Sequence, residues 1–328
     1  MTHVILTCSE HFTELALNEL RRQHPRVTLL ERVSPKHLLL NAPGTFDTLT
    51  RPWRNQLPIY LHHLFPVHRT LSLSGTSRDF DCLRKHAQAL CQESYSVQAR
   101  VVGAYPYTTI VLEESILPRQ LMPHRINTTG RVLSLLIVNT CCYMGISWAS
   151  QNLSPFASGK PHFHEPVPNR AGLKLLEALA AFDIQLRPGD HALDLGAAPG
   201  AWTEILHRRG MCVTAIAPLA MYDWLQANPN VRAFYTTAEE YLSHCDTTYD
   251  LLLNDMILDP QDSARLMVEY AAHLRPQGIA LMTLKLRLRN PRRVMDHAFR
   301  ILRKAYKIIR VRQLVSNRKE VTLFLRRK

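Results

Sequence analysis

Three polar side chains in the second half of the chain stand where apolar runs stop. Asp194 lies in "HALDLG", Asp255 follows "YDLLLN", and Lys285 ends "LMTLK". Runs of this kind read as strands buried on both faces. An ionised group at the edge of a core costs free energy unless something nearby uses its charge. In an open α/β sheet, ligands sit beyond the carboxyl ends of the strands. A carboxylate and an amine on neighbouring strand ends therefore face a cleft and can orient, hold or move a proton there. Beside them lies "LDLGAAPGAWT", residues 193–203. Gly196 and Gly200 let its backbone bend and approach a ligand closely. The helix that it opens points free N–H groups at that ligand, and Pro199 suits the first turn of such a helix.

The elements that must position these groups follow from apolar spacing. From residue 169 onward, helical and strand-like segments alternate. "RAGLKLLEALAAF" is helical, "HALDLG" a strand, "GAWTEILHRRG" a helix, "CVTAIA" a strand and "MYDWLQAN" a short helix. "YDLLLNDM" and "GIALMTLKL" are strands separated by the helix "DSARLMVEYAAHL". The helix "PRRVMDHAFRILRKAY" precedes "IIRVRQLV" and "KEVTLFLRR", two strands whose short connection favours an antiparallel pair. This alternation predicts a parallel sheet covered on both faces with right-handed crossovers. With its terminal antiparallel strand, it has the shape of a class I, Rossmann-like methyltransferase sheet.

The first half is patterned differently. A β-α-β-β beginning predicts a ferredoxin-like α+β domain over residues 1–65. A second unit, 66–155, carries the helix "FDCLRKHAQALCQ", the strand "YSVQARVVG" and a strand pair in "RVLSLLIVNTCCYMGISWA". The stretch "SQNLSPFASGKPHFHEPVPN" is rich in Ser, Pro, Gly and His and reads as a linker, placed at 156–168. The last domain is then 169–328. Within the linker, His162, His164 and Glu165 form a conceivable ligand cluster, but a solvated linker is the better reading. No Cys/His spacing resembles a zinc site.

Charge points to a partner. The 328-residue chain carries a net charge of +13. Residues 281–328 hold sixteen Lys and Arg against two acids, Asp296 and Glu320. An excess this local marks a polyanion-binding surface more readily than a solvated helix face. No apolar run is long enough for a membrane span, and the first residues lack the pattern of a secretory leader. Seven cysteines without a paired framework, two of them adjacent at Cys141 and Cys142, suggest reduced thiols and a cytoplasmic setting.

The Gly-bearing turn is not the dinucleotide fingerprint. Its D-L-G-x-x-P-G form is that of S-adenosylmethionine enzymes. Together with "NRAGLKLLEAL", "LLLNDM", "LMTLKL" and "RQLVSNRKEVTLFLRR", it resembles the FtsJ-like RNA ribose 2′-O-methyltransferases. The nearest resemblance is to those acting on large-subunit (23S-type) ribosomal RNA. It extends upstream through "NTCCYMGISWASQNLSPF" into a THUMP-like RNA-binding unit, and it is weak over the first 60 residues.

The resemblance implies methylation of a ribose 2′-hydroxyl of large-subunit rRNA or its precursor, at a cytidine, with S-adenosyl-L-methionine as donor and no metal. It implies a Lys-Asp-Lys-Glu tetrad made of Lys174, Asp255, Lys285 and Glu320. Lys285 would be the general base, its pKa lowered by Lys174 nearby, and the carboxylates would orient the amines. The donor would be held by Asn169, Asp194, Gly196, Ala198, Pro199 and Gly200, with Ala201, Trp202, Ala217, Glu239 and Asp255. Trp202 fits a helix-to-sheet core contact equally well.

Two departures from the family pattern stand out. Class I enzymes place an acid for the donor ribose at the end of the second strand, where this chain has Ala217. The family also tends to carry an Asp before the fourth strand, where this chain has Ala238 flanked by Glu239. A rival reading follows from Ala217: an RNA-binding assembly factor that keeps the fold but has weakened catalysis. Methylation of a protein or small molecule would leave the basic terminus and the second lysine unexplained. Oligomeric state has no signature in the sequence.

Overall fold

A computed structural model describes residues 1–54, 56–116, 130–153, 163, 166–167, 169–286 and 290–328. The chain forms two compact units, Met1–His162 and Phe163–Lys328. His162, His164 and Glu165 lie outside the described residues, as does most of the proposed linker.

The first unit begins with β1 (Thr2–Cys8), α1 (Thr13–Gln23), β2 (Thr28–Ser34), β3 (His37–Ala42), α2 (Phe46–Thr50) and β4 (Leu61–Pro66). These strands form an antiparallel sheet in the order β2-β3-β1-β4. The element order is the β-α-β-β-α-β of ferredoxin-like folds. Sequence patterning leaves β4 unmarked, because His62 and His63 interrupt its apolar run; His63 is nonetheless buried.

The unit continues with β5 (Arg69–Ser72), α3 (Arg78–Leu90), β6 (Tyr95–Val102), α4 (Thr109–Ile116), β7 (Arg131–Val138) and β8 (Cys141–Trp148). Their sheet runs β5-β8-β7-β6, with β6 and β7 parallel and the other pairs antiparallel. Ile5, Phe65, Leu136 and Tyr143 form one apolar cluster that ties the two sheets together. All seven cysteines are free thiols.

The second unit consists of α5 (Arg170–Phe182), β9 (His191–Leu195), α6 (Ala201–Arg208), β10 (Cys212–Ile216), α7 (Asp223–Gln226), β11 (Val231–Phe234), α8 (Ala238–Leu242) and β12 (Tyr249–Asn254). Then come α9 (Pro260–Tyr270), β13 (Leu274–Lys285), α10 (Pro291–Leu302), β14 (Tyr306–Arg312) and β15 (Glu320–Arg327). Among the described residues the sheet has seven strands in the order β11-β10-β9-β12-β13-β15-β14. The five strands from β11 to β13 are parallel, as the alternation of elements predicts. The antiparallel pair is present too, but β15 slots between β13 and β14 instead of ending the sheet. Neither β11 nor α8 carries a sequence signal, being too short for a period to show.

Leu175, Leu176, Leu179 and Phe182 of α5 and Trp202, Ile205 and Leu206 of α6 pack with Leu251, Leu281 and Phe324 of the sheet. Burial of such side chains, about 1.5–3 kcal/mol each, holds both helices on the sheet. The chain's winding direction reverses between β9 and β12, which opens a crevice at their carboxyl ends. The Gly-bearing turn follows β9 and Asp255 follows β12, so both border that crevice.

Candidate active site

On one side of the crevice is the β9–α6 turn. Gly196 has φ +77°, and a Cβ there would come within 2.4 Å of Met256 Cγ. Gly200 has φ +118°, and a Cβ there would meet Leu225 Cδ1 at 2.4 Å. Both positions therefore need glycine for conformation and for space. Gly200 is the N-cap of α6, so Pro199 lies ahead of the helix and not in its first turn. The reason is the left-handed backbone of Gly200, which delays the helix start. The Pro199 carbonyl accepts the Tyr222 N–H at 3.0 Å.

Ala198 is half-buried and Ala201 buried in the same turn. The first α6 hydrogen bond is from Glu204 N–H to Gly200 O, which leaves earlier N–H groups of the helix for a polar ligand. Asp194 lies beneath the turn, only 2% exposed, and accepts a 2.7 Å hydrogen bond from Thr203 Oγ1. Burial pushes its carboxyl up to about 7, with the Asp255 carboxylate pushing the same way against the Thr203 hydrogen bond.

The other predicted donor contacts are placed as follows. Trp202 has its ring in the core, and its indole N–H donates to Ala171 O at 2.6 Å. Asn169 is the N-cap of α5, accepting from Ala171 N at 2.8 Å and Gly172 N at 3.3 Å. Ala217 is buried at the end of β10, where its N–H bonds to Phe234 O, and it brings no carboxylate. Glu239 is exposed on the first turn of α8, while Glu240 closes the cap with Thr237. The crevice thus fits a donor at the turn, through glycine-lined backbone and helix N–H groups, and lacks the usual acid for the ribose.

On the other side the four charged residues converge. Lys174 Nζ lies 2.7 Å from Asp255 Oδ1 and 3.1 Å from Glu320 Oε1. Lys285 Nζ lies 2.6 Å from Asp255 Oδ1 and 2.8 Å from Glu320 Oε2. Each amine faces both carboxylates, and each carboxylate holds both amines. Their side chains are largely shielded, Lys174 at 10% and Lys285 at 22% exposure. A buried ion set of this kind is costly to break: removing one partner strands a charge and costs about 3–5 kcal/mol.

The electrostatics run against one expectation. The resemblance implies that Lys174 lowers the pKa of Lys285. Burial does push the Lys285 amine down, but Asp255 and Glu320 outweigh it and the net direction is up. Burial pushes the Glu320 carboxyl up, yet Lys285 and Lys174 together hold it below its ordinary value. The balance depends on how many carboxylates face the amine, which chain order does not reveal.

Several supporting residues escape the sequence reading. Thr283 Oγ1 donates to Asp255 Oδ1 at 2.5 Å and accepts from Lys285 Nζ at 2.9 Å. Its signal is period two on β13, which puts Thr283 and Lys285 on one face. Glu177 is buried on α5 and accepts the N–H groups of Val315 at 2.7 Å and Ser316 at 2.8 Å. Arg170 donates twice to Ser316 O, at 3.1 and 2.8 Å. Arg170, Lys174 and Glu177 are spaced i, i+4, i+7 on one helical face, so α5 clasps the β14–β15 loop on both sides of Lys174. Asn317 extends the clasp, donating to Glu320 Oε1 at 3.4 Å and accepting from Leu314 N at 2.7 Å.

Residues 167–314 match the family model of the FtsJ-like methyltransferases. The ribosomal RNA large subunit methyltransferase M of Halorhodospira halophila is 35% identical over 175 residues, covering 52% of this chain and 51% of the relative. The protein of that name in Yersinia enterocolitica is 30% identical over 236 residues, covering 68% of this chain and 62% of the relative. The matched region thus spans half to three fifths of these relatives. Among solved structures, TrmN from Thermus thermophilus aligns over 100% of both chains at 17% identity, with a TM-score of 0.40, an overlap too loose to argue from.

Proposed function

We propose, from the match of residues 167–314 to the FtsJ-like methyltransferases, that the protein methylates a ribose 2′-hydroxyl of large-subunit rRNA or its precursor, at a cytidine. S-adenosyl-L-methionine is the donor in this reading, and supplies a methyl group on a positively charged sulfonium. The observation that carries the proposal is the closed set of Lys174, Asp255, Lys285 and Glu320 beside the glycine turn.

The turn residues Gly196, Ala198, Gly200 and Ala201 would hold the donor by backbone approach, with Asp194 supporting the turn from below. The nucleophile is a poorly acidic hydroxyl, so its proton must leave as the new bond forms. Lys285 takes that proton as a neutral amine, and Asp255, Glu320 and Thr283 hold the resulting ammonium in line. With both carboxylates bonded to it, Lys285 rests protonated. It becomes a base when further positive charge enters the crevice and water leaves. General-base help of this kind contributes about 10²–10⁴-fold, and alignment of the reacting atoms supplies much of the rest.

The ferredoxin-like segment 1–65 and a THUMP-like segment 66–155 would select the RNA region, and the basic residues of 281–328 would hold its backbone. A cytoplasmic location follows from this substrate. Among the described residues no helix is long and apolar enough to cross a membrane.

Ala217 favours a second reading, an RNA-binding assembly factor with weakened catalysis. The deciding experiment is methyl transfer from labelled donor to an unmodified large-subunit rRNA transcript, with Lys285→Ala alongside. The proposal expects transfer by the native protein and a loss of about 10²–10⁴-fold in the variant. Full activity in Lys285→Ala would overturn Lys285 as base. Calorimetry showing no donor binding, even with rRNA present, would favour the assembly factor.

A further inference from the structure

Among the described residues of Phe163–Lys328, the exposed large apolar side chains are Leu219, Trp224, Tyr235, Ile257 and Val315. Every one lies on a segment that follows the carboxyl end of a parallel-running strand. Leu219 and Trp224 follow β10, Tyr235 follows β11, Ile257 follows β12, and Val315 follows β14. Scattered exposed apolar residues are ordinary; confinement of all five to the edge that holds the tetrad is not.

Ile257 is the extreme case, 91% exposed and two residues beyond Asp255. Its loop is fixed at both ends. Asn254 accepts the Met256 N–H at 3.0 Å and donates to Ser263 Oγ at 3.2 Å, while Asp259 caps α9 through Gln261 N. Met256 lies against Gly196. Val315 follows β14, which lies beyond β13 and β15 from β12 in the sheet, and its N–H is held by Glu177, about one helical turn from Lys174. Between Val315 and Glu320 lie Arg318 and Lys319, both exposed. The tetrad amines are thus recessed between one protruding apolar side chain, Ile257, and one partly exposed one, Val315 at 36%, with two cations on the rim.

We infer that this rim seats an unpaired stretch of RNA, with the bases flanking the target nucleotide against Ile257 and Val315 and their phosphates on Arg318 and Lys319. This rests on the ribose-methylation reading and names the form in which the substrate arrives. In a continuous A-form duplex the bases are stacked on one another, and only the shallow groove and backbone face outward. A protruding Ile257 and a partly exposed Val315 beside a recessed site find no apolar surface there. Unpaired bases offer apolar faces that any aliphatic or aromatic side chain can cover, independent of sequence. The cations favour nucleic acid over an apolar protein segment as the occupant.

The test is fluorescence anisotropy on the full chain, with a labelled mixed-sequence RNA of about twelve nucleotides and the same RNA as a duplex. The native protein should bind the single strand several-fold more tightly. The double variant Ile257→Ser, Val315→Ser should lose about tenfold in single-strand affinity and keep its duplex affinity, which shows that it is folded. Arg318→Gln with Lys319→Gln should weaken both forms and lower the salt dependence. Equal binding of the two RNA forms, or unchanged single-strand affinity in the serine variant, overturns the inference and leaves the rim to a protein partner. Because binding is read without turnover, an absence of methyl transfer alongside the expected binding pattern counts against the proposed reaction and not against the seat.

Discussion

Lys285 and Glu320 are register partners on the antiparallel strands β13 and β15, and their charged groups meet at 2.8 Å across that pair. The ladder therefore sets the contact directly, and the insertion of β15 beside β13 is what brings the fourth tetrad residue to the crevice. Lys174 reaches the same carboxylate from α5, at 3.1 Å.

The first prediction concerns the charge on Glu320. Removing it by Glu320→Gln takes away one of the two carboxylates that raise Lys285. The acidic limb of the rate against pH should move to lower pH, while the maximal rate falls because the amine is less well held. A pH–rate profile of methyl transfer checks this; a limb that stays in place or rises would show that Glu320 does not set the state of Lys285.

Stability of the tetrad has its own pH window. Glu320 is held low, so its contribution is present above its unfolded value and is lost as pH falls through the lowered one. Lys285 is held high, so its contribution is present below its unfolded value and is lost as pH rises through the raised one. Asp194 acts in the sense opposite to Glu320. Burial raises it from 3.8 to about 7, so the folded state loses stability as pH climbs between those values. Asp194→Asn should gain on the native protein as pH goes from 5 to 8. Denaturant unfolding at the two pH values measures this, and a difference that does not vary with pH would contradict it.

The α5 clasp gives a third test. Glu177→Ala leaves two backbone N–H groups of the β14–β15 loop without their acceptor, at about 1–3 kcal/mol each if they stay buried. Unfolding should be easier, and turnover should drop with donor affinity unchanged, because the loop that carries Glu320 is released. Equal turnover in a folded variant would show that the clasp does not position the tetrad.

How much of this could be read without coordinates depends on how local each determinant is. Asp194, Asp255 and Lys285 sit at the ends of strong apolar strands, so their shared crevice follows from the parallel sheet. Lys174 and Glu320 were legible only through resemblance, since nothing in "GLKLL" or "RKEVT" announces convergence. Glu177 lies in an apolar helix with no local cue to its role, since its partners are 138 and 139 positions away. The direction of the Lys285 shift is hidden from the sequence for a similar reason. The resemblance sets Lys174 and both carboxylates near Lys285, but the close contacts by which Asp255 and Glu320 outweigh burial depend on strand order.

The position of Ala217 yields a fourth prediction. If the missing acid is what weakens the donor site, Ala217→Asp should tighten S-adenosylmethionine binding by about 1–3 kcal/mol, roughly 5–150-fold. Calorimetry decides; unchanged or weaker binding would mean that the donor is held by other means.

The account stands most directly on ribose methylation in the cell. Large-subunit rRNA from cells with the gene, without it, and with the Lys285→Ala allele can be mapped for 2′-O-methyl groups. The account predicts one ribose methyl that vanishes without the gene, returns with the native allele and stays absent with Lys285→Ala. An identical methylation map in all of these cells would contradict it.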